Sequence, residues 1–329
     1  MSGNKVCPPD HLLEVGSYWK HKVTLTAVKL GLFNYLSNGS RTPTELAEQF
    51  NSNAQAFSIF LNALTGMGLL LKRGGKFANT PFVKRFLIRG GPHYKGDQLI
   101  FDDMQWDLWG QLEHPLTTGN RPLQASIFHK DPKATERLIL GLHQDALRIA
   151  PKLAKRLPVN RWRKLLDLGG GAGTYSIVFC QRNLALKATI FDLSNTTRVT
   201  RAVVEAAGLE GRINVIDGDF LTDPIPGSYD AVFMSNILHG QGPEQNVEVF
   251  QKVKRCLIPK GDVVVRDVIM DEDLTHPEWG AVFAVNMMLH ADGGRCYSSQ
   301  EISRWLHRVG FGAIRVVDPN SVLMAENPG

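Results

Sequence analysis

Cysteine is scarce in this chain: four in 329 residues, at Cys7, Cys180, Cys256 and Cys296, with no Cys-x-x-Cys pair among them. Such spacing supports neither a zinc knot nor a disulfide framework, and it fits a reducing compartment. Long apolar runs are missing too. No stretch approaches the roughly 20 residues that a membrane-spanning helix needs. Residues 1–10 are polar, hold two prolines and lack the apolar core of a secretory signal. Charge of one sign is nowhere concentrated. Lys and Arg outnumber Asp and Glu by 37 to 32, a formal net charge of +5, and no basic run resembles a nucleic-acid arm. Between residues 42 and 71 there is no Lys or Arg at all. Internal repeats and low-complexity segments are absent. With 43% hydrophobic and 21% charged residues, the composition is that of a soluble globular chain long enough for two domains, and the expected location is the cytoplasm.

What is present falls into two styles. Near the front, residues 24–36 have helical apolar spacing. Ser40-Arg41-Thr42-Pro43-Thr44-Glu45 opens a short second helix, capped by Ser40 or by Thr42, the latter in capping-box spacing with Glu45. Residues 54–71 read as a third, more apolar helix, and 72–78, centred on Gly74-Gly75, as a hairpin. Three helices and a two-stranded wing make a winged-helix layout. A winged helix that reads DNA needs cations on its third helix. Here that helix carries Phe57, Ile59, Phe60, Leu61, Leu64 and Met67, which suits apolar contact and predicts a dimerisation module rather than a nucleic-acid binder. A helical connector follows from about 92 to 158. Its aromatic stretch, 101–109, either packs in a core or lines a pocket.

The strongest signal lies at 165–174, Leu-Leu-Asp-Leu-Gly-Gly-Gly-Ala-Gly-Thr: an apolar strand ending in Asp167 and running into Gly169, Gly170, Gly171 and Gly173. Glycines at a strand-to-helix turn let a ligand come close and allow backbone angles that a Cβ forbids. The dinucleotide fingerprint Gly-x-Gly-x-x-Gly would need its third glycine at Thr174, so a pyrophosphate ligand is disfavoured. A second apolar run, 187–191, ends in Asp192, where a carboxylate can accept both ribose hydroxyls. A third, 213–216, leads into Gly218-Asp219-Phe220. There the carboxylate can take an adenine amino group while the ring packs on the purine. For Asp219 by itself, a cap or turn role is equally open. Residues 229–235 form a fourth strand with Asp230 near its start. Strands and helices alternate from 164 onward, which predicts a mostly parallel sheet. Runs 313–317 and 321–325 flank Asp318-Pro319-Asn320, a tight hairpin whose last strand runs antiparallel.

The pattern Asp-x-Gly-x-Gly-x-Gly with its spaced acids resembles the first motif of the class I S-adenosylmethionine (SAM) methyltransferases. The order of a winged-helix front, a helical connector and a SAM-type back half resembles the small-molecule O-methyltransferases of the plant caffeate and hydroxyindole kind, which have bacterial members. The likeness covers nearly the whole chain and is strongest over 165–294. It implies an α/β fold with a Rossmann-like seven-stranded SAM-methyltransferase domain at 161–329. It also implies an N-terminal helical winged-helix dimerisation domain at 1–91, and a connector at 92–160 that contributes to the acceptor pocket. The cofactor would be SAM, the product S-adenosylhomocysteine (SAH), the assembly a homodimer joined through the N-terminal domain, and the acceptor a small aromatic or quinone-like metabolite. Neither nucleic acid nor membrane is an expected partner. By the same resemblance Asp167, Gly169 and Gly171 contact the cofactor, Asp192 its ribose, and Asp219 with Phe220 its adenine. Ser235 falls where the family places another cofactor contact. His239, in Ser235-Asn236-Ile237-Leu238-His239, stands where the family has its general base, and Asp267, ending a fifth strand at 263–268, matches an acid that orients or polarises it.

The chemistry needs such a base. A phenol with a pKa of about 10 is mostly protonated at neutral pH, and an imidazole can take that proton as the oxygen attacks. Two positions depart from the family pattern: Gly240 stands where an Asp often follows the histidine, and a glutamate of the plant enzymes falls on Cys296, after Gly293-Gly294-Arg295. Oxygen, carbon and nitrogen therefore stay open as the methylated atom. One alternative is a metal-assisted C-methyltransferase of a 2-oxo acid. It would use His239 and His290, and in one version His143, as ligands of a metal that stabilises an enolate. Another alternative, from a different class, is a winged-helix regulator that senses SAM or a metabolite; the cation-free third helix speaks against it.

Overall fold

The structure, a computed structural model, describes residues 17–122 and 131–329; Cys7 and the rest of the first 16 residues lie outside them. The chain divides into two compact units, Met1–Trp106 and Asp107–Gly329. The division runs through the stretch expected as a connector.

In the first unit, α1 (Ser17–Leu30) stops at Gly31, whose φ of +75° breaks the continuous helix expected over 24–36 and sets a separate turn at Leu32–Tyr35. Thr42 is the cap that α2 (Pro43–Gln49) uses. Its Oγ1 accepts from the Glu45 amide at 3.3 Å, and its own amide donates to Glu45 Oε2 at 2.7 Å. The third helix, α3 (Ala54–Gly66), ends earlier than residue 71, because Gly68 takes φ +74° and the chain turns into a strand. The hairpin then pairs β1 (Leu70–Arg73) with β2 (Lys76–Asn79). Both turn glycines, Gly74 and Gly75, have the positive φ that a two-residue primed turn demands. Phe33, Leu46, Leu61, Leu64 and Phe77 fill the core. Against it packs α4 (Gly96–Met104) through Ile100, and its buried Asp103 is held by Lys22 at 2.6 Å and Lys29 at 2.7 Å from α1.

The second unit starts within a one-turn helix, Trp106–Trp109, and continues with a short helix, Glu113–Thr118, and the long α5 (Pro132–Arg156). Then follow β3 (Lys164–Leu168), α6 (Thr174–Arg182), β4 (Lys187–Asp192), α7 (Ser194–Ala206), β5 (Ile213–Asp217) and β6 (Tyr229–Ser235). After these come α8 (Pro243–Cys256), β7 (Leu257–Arg266), β8 (Ile269–Met270), α9 (Glu278–His290), β9 (Tyr297–Ser298), α10 (Ser299–Val309), β10 (Gly312–Asp318) and β11 (Val322–Glu326). Seven strands form one sheet in the order β10-β11-β7-β6-β3-β4-β5. The pairs among β3 to β7 are parallel, and β11 is antiparallel to both of its neighbours. The fifth strand of the parallel series ends at Arg266, so Asp267 lies just beyond it rather than within.

Alternation along the strands explains their continuous apolarity. Leu165, Ile190, Phe233 and Val264 join the core beneath α5 and α6, while Leu166, Leu168, Met234 and Val265 join that beneath α8 and α10. A parallel sheet covered on both faces has no solvated side to carry polar residues. Strand order reverses between β3 and β6, and in open α/β sheets ligands bind beyond the carboxyl ends at such a switch point. The glycine turn and the segment after β6 both emerge there.

Gly173 shows how tightly that edge is built. Its φ is +77°, and an added Cβ would lie 2.6 Å from Ile190 Cδ1. We expect Gly173→Ala to cost about 1–3 kcal/mol of stability, read as a lower denaturant midpoint with an unchanged m-value. An unchanged midpoint would show that the turn relaxes freely.

Candidate active site

At the end of β3 the chain folds back over Asp167. Gly169 and Gly171 take φ of +62° and +57°. A Cβ on Gly169 would stand 2.7 Å from Ile237 Cδ1 and 3.5 Å from the Phe220 ring, so this turn, the segment after β6 and the loop after β5 converge on one point. Asp167 itself is buried. Ser176 Oγ donates to its Oδ2 at 2.7 Å, while Oδ1 is buried with no hydrogen-bond partner among the described residues. Burial pushes its carboxyl up to about 7; the Ser176 bond opposes the shift and the neighbouring Asp192 charge adds to it.

Asp192, at the tip of β4, bonds the turn directly: its Oδ2 accepts from the Gly171 amide at 2.9 Å and its Oδ1 from the Leu193 amide at 2.7 Å. Asp219 builds a local turn. Its Oδ1 accepts from the Leu221 amide at 2.8 Å, and its own amide donates to Asp223 Oδ2 at 2.8 Å. The turn role open in the sequence is thus real, and it sets the loop that carries Phe220. Ser235 closes β6, with its Oγ 3.3 Å from Arg266 Nη1, which also reaches Asn236 Oδ1 at 2.8 Å. Arg266 has no local motif to mark it.

His239 lies on a short 3-10 turn, Leu238–Gly240, which the fully buried Asn246 of α8 holds by donating to the Leu238 carbonyl at 3.0 Å. His239 Nδ1 is 2.6 Å from Asp267 Oδ1. The same carboxylate accepts from the amides of Leu238 at 2.9 Å and Val268 at 2.7 Å. Burial pushes the Asp267 carboxyl up, but the His239 charge and hydrogen bond and the two amides outweigh it and hold the group below its ordinary value. Phe283 of α9 stands edge-on to the imidazole, with ring centroids 5.1 Å apart. Sequence spacing gave no sign of Phe283, because it becomes part of the site only through the packing of α9.

The other histidines go elsewhere. His143 Nδ1 pairs with Thr174 Oγ1 at 2.7 Å, and burial lowers its pKa. Burial lowers that of His290 further, to about 4. Among the described residues no group of three or more His, Cys, Asp or Glu side chains is arranged to hold a metal ion. His143, His239 and His290 together therefore do not make up such a group of three. Cys296 sits in an apolar cluster with Val268 and Met270, and burial raises its thiol to about 12, so it presents a neutral group. The adjacent Arg295 is paired to Glu301 at 2.6 Å, and Glu301 in turn caps α10 with Ser298.

A glycine turn, an acid at the next strand end and a histidine paired with a buried Asp occur in several nucleotide-binding folds; comparison with known proteins decides between them. The O-methyltransferase domain matches residues 111–312, more than half of the chain, and the O-methyltransferase dimerisation domain matches 13–89. The chain belongs to the O-methyltransferase family. Its methyl donor is SAM and its product SAH. This O-methyltransferase is 28% identical over 305 residues to 3-hydroxy-5-methyl-1-naphthoate 3-O-methyltransferase of Streptomyces sahachiroi, covering 91% of this chain and 88% of that one. It is likewise 28% identical over 330 residues to the tetracenomycin polyketide synthesis 8-O-methyl transferase TcmO of Streptomyces glaucescens, covering 98% and 97%. An O-methyltransferase family protein from Burkholderia thailandensis superposes with a TM-score of 0.87 at 26% identity, over 98% of each chain. Human N-acetylserotonin methyltransferase, solved with SAM, shares the fold with a TM-score of 0.84 at 19% identity, over 99% of this chain and 100% of that one. Among the described residues no helix is long and apolar enough to cross a membrane.

The Asp167 carboxyl has a measurable signature. In the folded protein it keeps its proton up to about pH 7, and in the unfolded chain only to about pH 4. Between these values the folded state binds more protons, so this group makes stability fall as pH rises from about 4 through about 7. Urea unfolding of the SAM-free protein at about pH 5 and about pH 8 should show that decline, and Asp167→Asn should flatten it. An identical slope in wild type and variant would refute the burial of this acid.

Proposed function

We propose that this O-methyltransferase methylates a phenolic hydroxyl of a small aromatic or quinone-like acceptor, with His239 as general base and Asp267 as the residue that orients it. The His239–Asp267 contact carries the reading. An ionised Asp267 can only accept, so the imidazole must carry its hydrogen on Nδ1. In the neutral ring this leaves the Nε2 lone pair to take the phenolic proton, after which the carboxylate steadies the imidazolium. The surroundings of His239 suit an aromatic acceptor. Phe283 borders the imidazole, α9 carries no charged side chain between Trp279 and Leu289, and His290 is neutral at physiological pH. The connector reaches the same helix: Leu108 packs on Leu289, and Trp109 Nε1 donates to Asn286 Oδ1 at 3.1 Å, which supports its part in the acceptor pocket. A hydroxylated naphthoate, the substrate in the S. sahachiroi relative's name, is an acceptor of this class.

SAM, when bound, supplies an electrophilic methyl group on a sulfonium, so the protein's task is alignment and proton removal. The unpartnered Oδ1 of Asp167 and a turn in which a Cβ at Gly169 or Gly170 would collide with neighbours fit such a ligand. In this reading Gly169 and Gly171 offer backbone, Asp192 the ribose contacts, Asp219 and Phe220 the adenine contacts, and Asp167 and Ser235 line the remainder. The front unit would join two chains into a homodimer. Its exposed Tyr18, Trp19, Ile59 and Phe82 support that role.

Replacing His239 by Asn should leave SAH affinity within about twofold by calorimetry, while turnover on a phenolic acceptor falls by about 10²–10⁴-fold. Near-normal turnover would remove the base assignment. Exhaustive dialysis against a chelator should leave wild-type turnover intact. A loss that one transition metal restores would instead bring back the carbon-methylation alternative.

A further inference from the structure

The loop after β5 is held from behind by a single cation. Lys252, on the third turn of α8, places its Nζ 2.9 Å from the Phe220 carbonyl, 2.6 Å from that of Leu221 and 3.0 Å from that of Asp223. Three backbone oxygens from four consecutive residues thus converge on one ammonium, the full donor capacity of a lysine. Carbonyls do not crowd together unaided, since their partial negative charges repel. The cation compensates for this arrangement, and bonds to a charged donor are stronger than neutral ones.

With its carbonyls drawn toward α8, the loop turns its amides the other way. The amides of Thr222 and Asp223 donate to the Asp219 carbonyl at 3.1 and 2.7 Å, and that of Leu221 donates to Asp219 Oδ1. One side of the loop faces Lys252 and the other is gathered on Asp219. The order continues toward the glycine turn. The Gly218 amide donates to the Asp192 carbonyl at 2.9 Å, and Asp192 Oδ2 accepts from the Gly171 amide at 2.9 Å. Gly218 also has no room to shift, for a Cβ there would lie 2.3 Å from the Phe191 ring.

We infer that Lys252 is a positioning residue for the cofactor: it clamps the Gly218–Asp223 loop so that Asp219 and Phe220 are preformed to receive the adenine. The inference rests on the adenine role proposed above for those two residues. Lys252 touches neither acceptor nor methyl group; it acts through three carbonyls. Its loss releases the loop, and ordering the loop again then falls to the ligand, which weakens binding without altering alignment at His239. The same helix fixes the His239 turn through Asn246, a separate contact that a change at Lys252 leaves in place.

The test compares SAH with S-inosylhomocysteine, in which oxygen replaces the 6-amino group, by calorimetry on the full-length enzyme. Wild type should prefer SAH. Lys252→Met should weaken SAH by about tenfold and shrink that preference toward unity, raise KM for SAM similarly, and leave kcat at saturating SAM within about twofold. Lys252→Arg, which keeps a charged donor, should recover part of the preference. It also carries the comparison should the Met variant not fold, since a longer, planar donor still predicts a weaker preference than wild type. Unchanged SAH affinity and preference in the variants overturn the clamp, as does a fall in kcat with affinity unchanged. If wild type itself does not distinguish the two ligands, the adenine assignment of Asp219 fails, and the clamp as stated fails with it. A wild type that discriminates beside variants that discriminate equally condemns Lys252 alone.

Discussion

A parallel sheet buried on both faces leaves polar chemistry only one place to go, its edges. Leu165, Leu166, Phe233 and Val264 are all sealed, so the strands can end in polar groups but not carry them midway. Asp167 and Asp262 are exceptions that measure the rule, for burial is the largest influence on both carboxyls and pushes that of Asp167 up to about 7. Asp192 and Asp267 sit at or just past a strand end, where backbone amides meet them, and Asp267 keeps its carboxyl below the ordinary value there. The site is a by-product of where the hydrophobic strands run out.

Much of this was legible in the sequence because it depends on short-range pattern. The glycine turn, the strand ending in Asp192 and the fourth strand at 229–235 rest on apolar runs and on glycines that no other residue could replace. The antiparallel last strand follows from a turn signal at Asp318-Pro319-Asn320. Errors arose where a single residue cut an otherwise good pattern. Gly31 split one helix, and Gly68 ended α3 before the apolar residues at 69–71 passed into β1. Apolar periodicity continues through both places and cannot register a left-handed φ. Phe283, Asn246, Arg266 and Lys252 were invisible for another reason. Phe283, Arg266 and Lys252 act across gaps of tens of residues and Asn246 across eight, and neither composition nor spacing records such meetings. His143 shows another meeting of this kind, since its pairing with Thr174 spans 31 positions of the chain.

His239, the proposed base, meets one acid, Asp267, and the position at which the plant enzymes were expected to carry a glutamate holds Cys296. A neutral thiol in an apolar cluster cannot share the charge of a protonated histidine. Among the described residues the acid that meets His239 is thus Asp267, whose carboxyl is held below its ordinary value first by His239 and then by the amides of Val268 and Leu238. Arg295 does not fill the gap, since Glu301 holds it at the start of α10. Tolerance to change at this centre is accordingly narrow on the acid side and wide at Gly240, which has open space beside it.

The bond from Gly171 to Asp192 carries a consequence for turnover. The acid that would receive the ribose is already hydrogen-bonded to the turn that would face the cofactor. A carboxylate has about four acceptor sites, so a ribose arriving there would meet an acid already held in place by two amides and able to accept further bonds. Donor and spent product differ by one methyl and one charge, and a pocket that gripped the first tightly would also retain the second. A turn ordered before either arrives would serve both alike, which leaves discrimination between them to the groups that would surround the methyl.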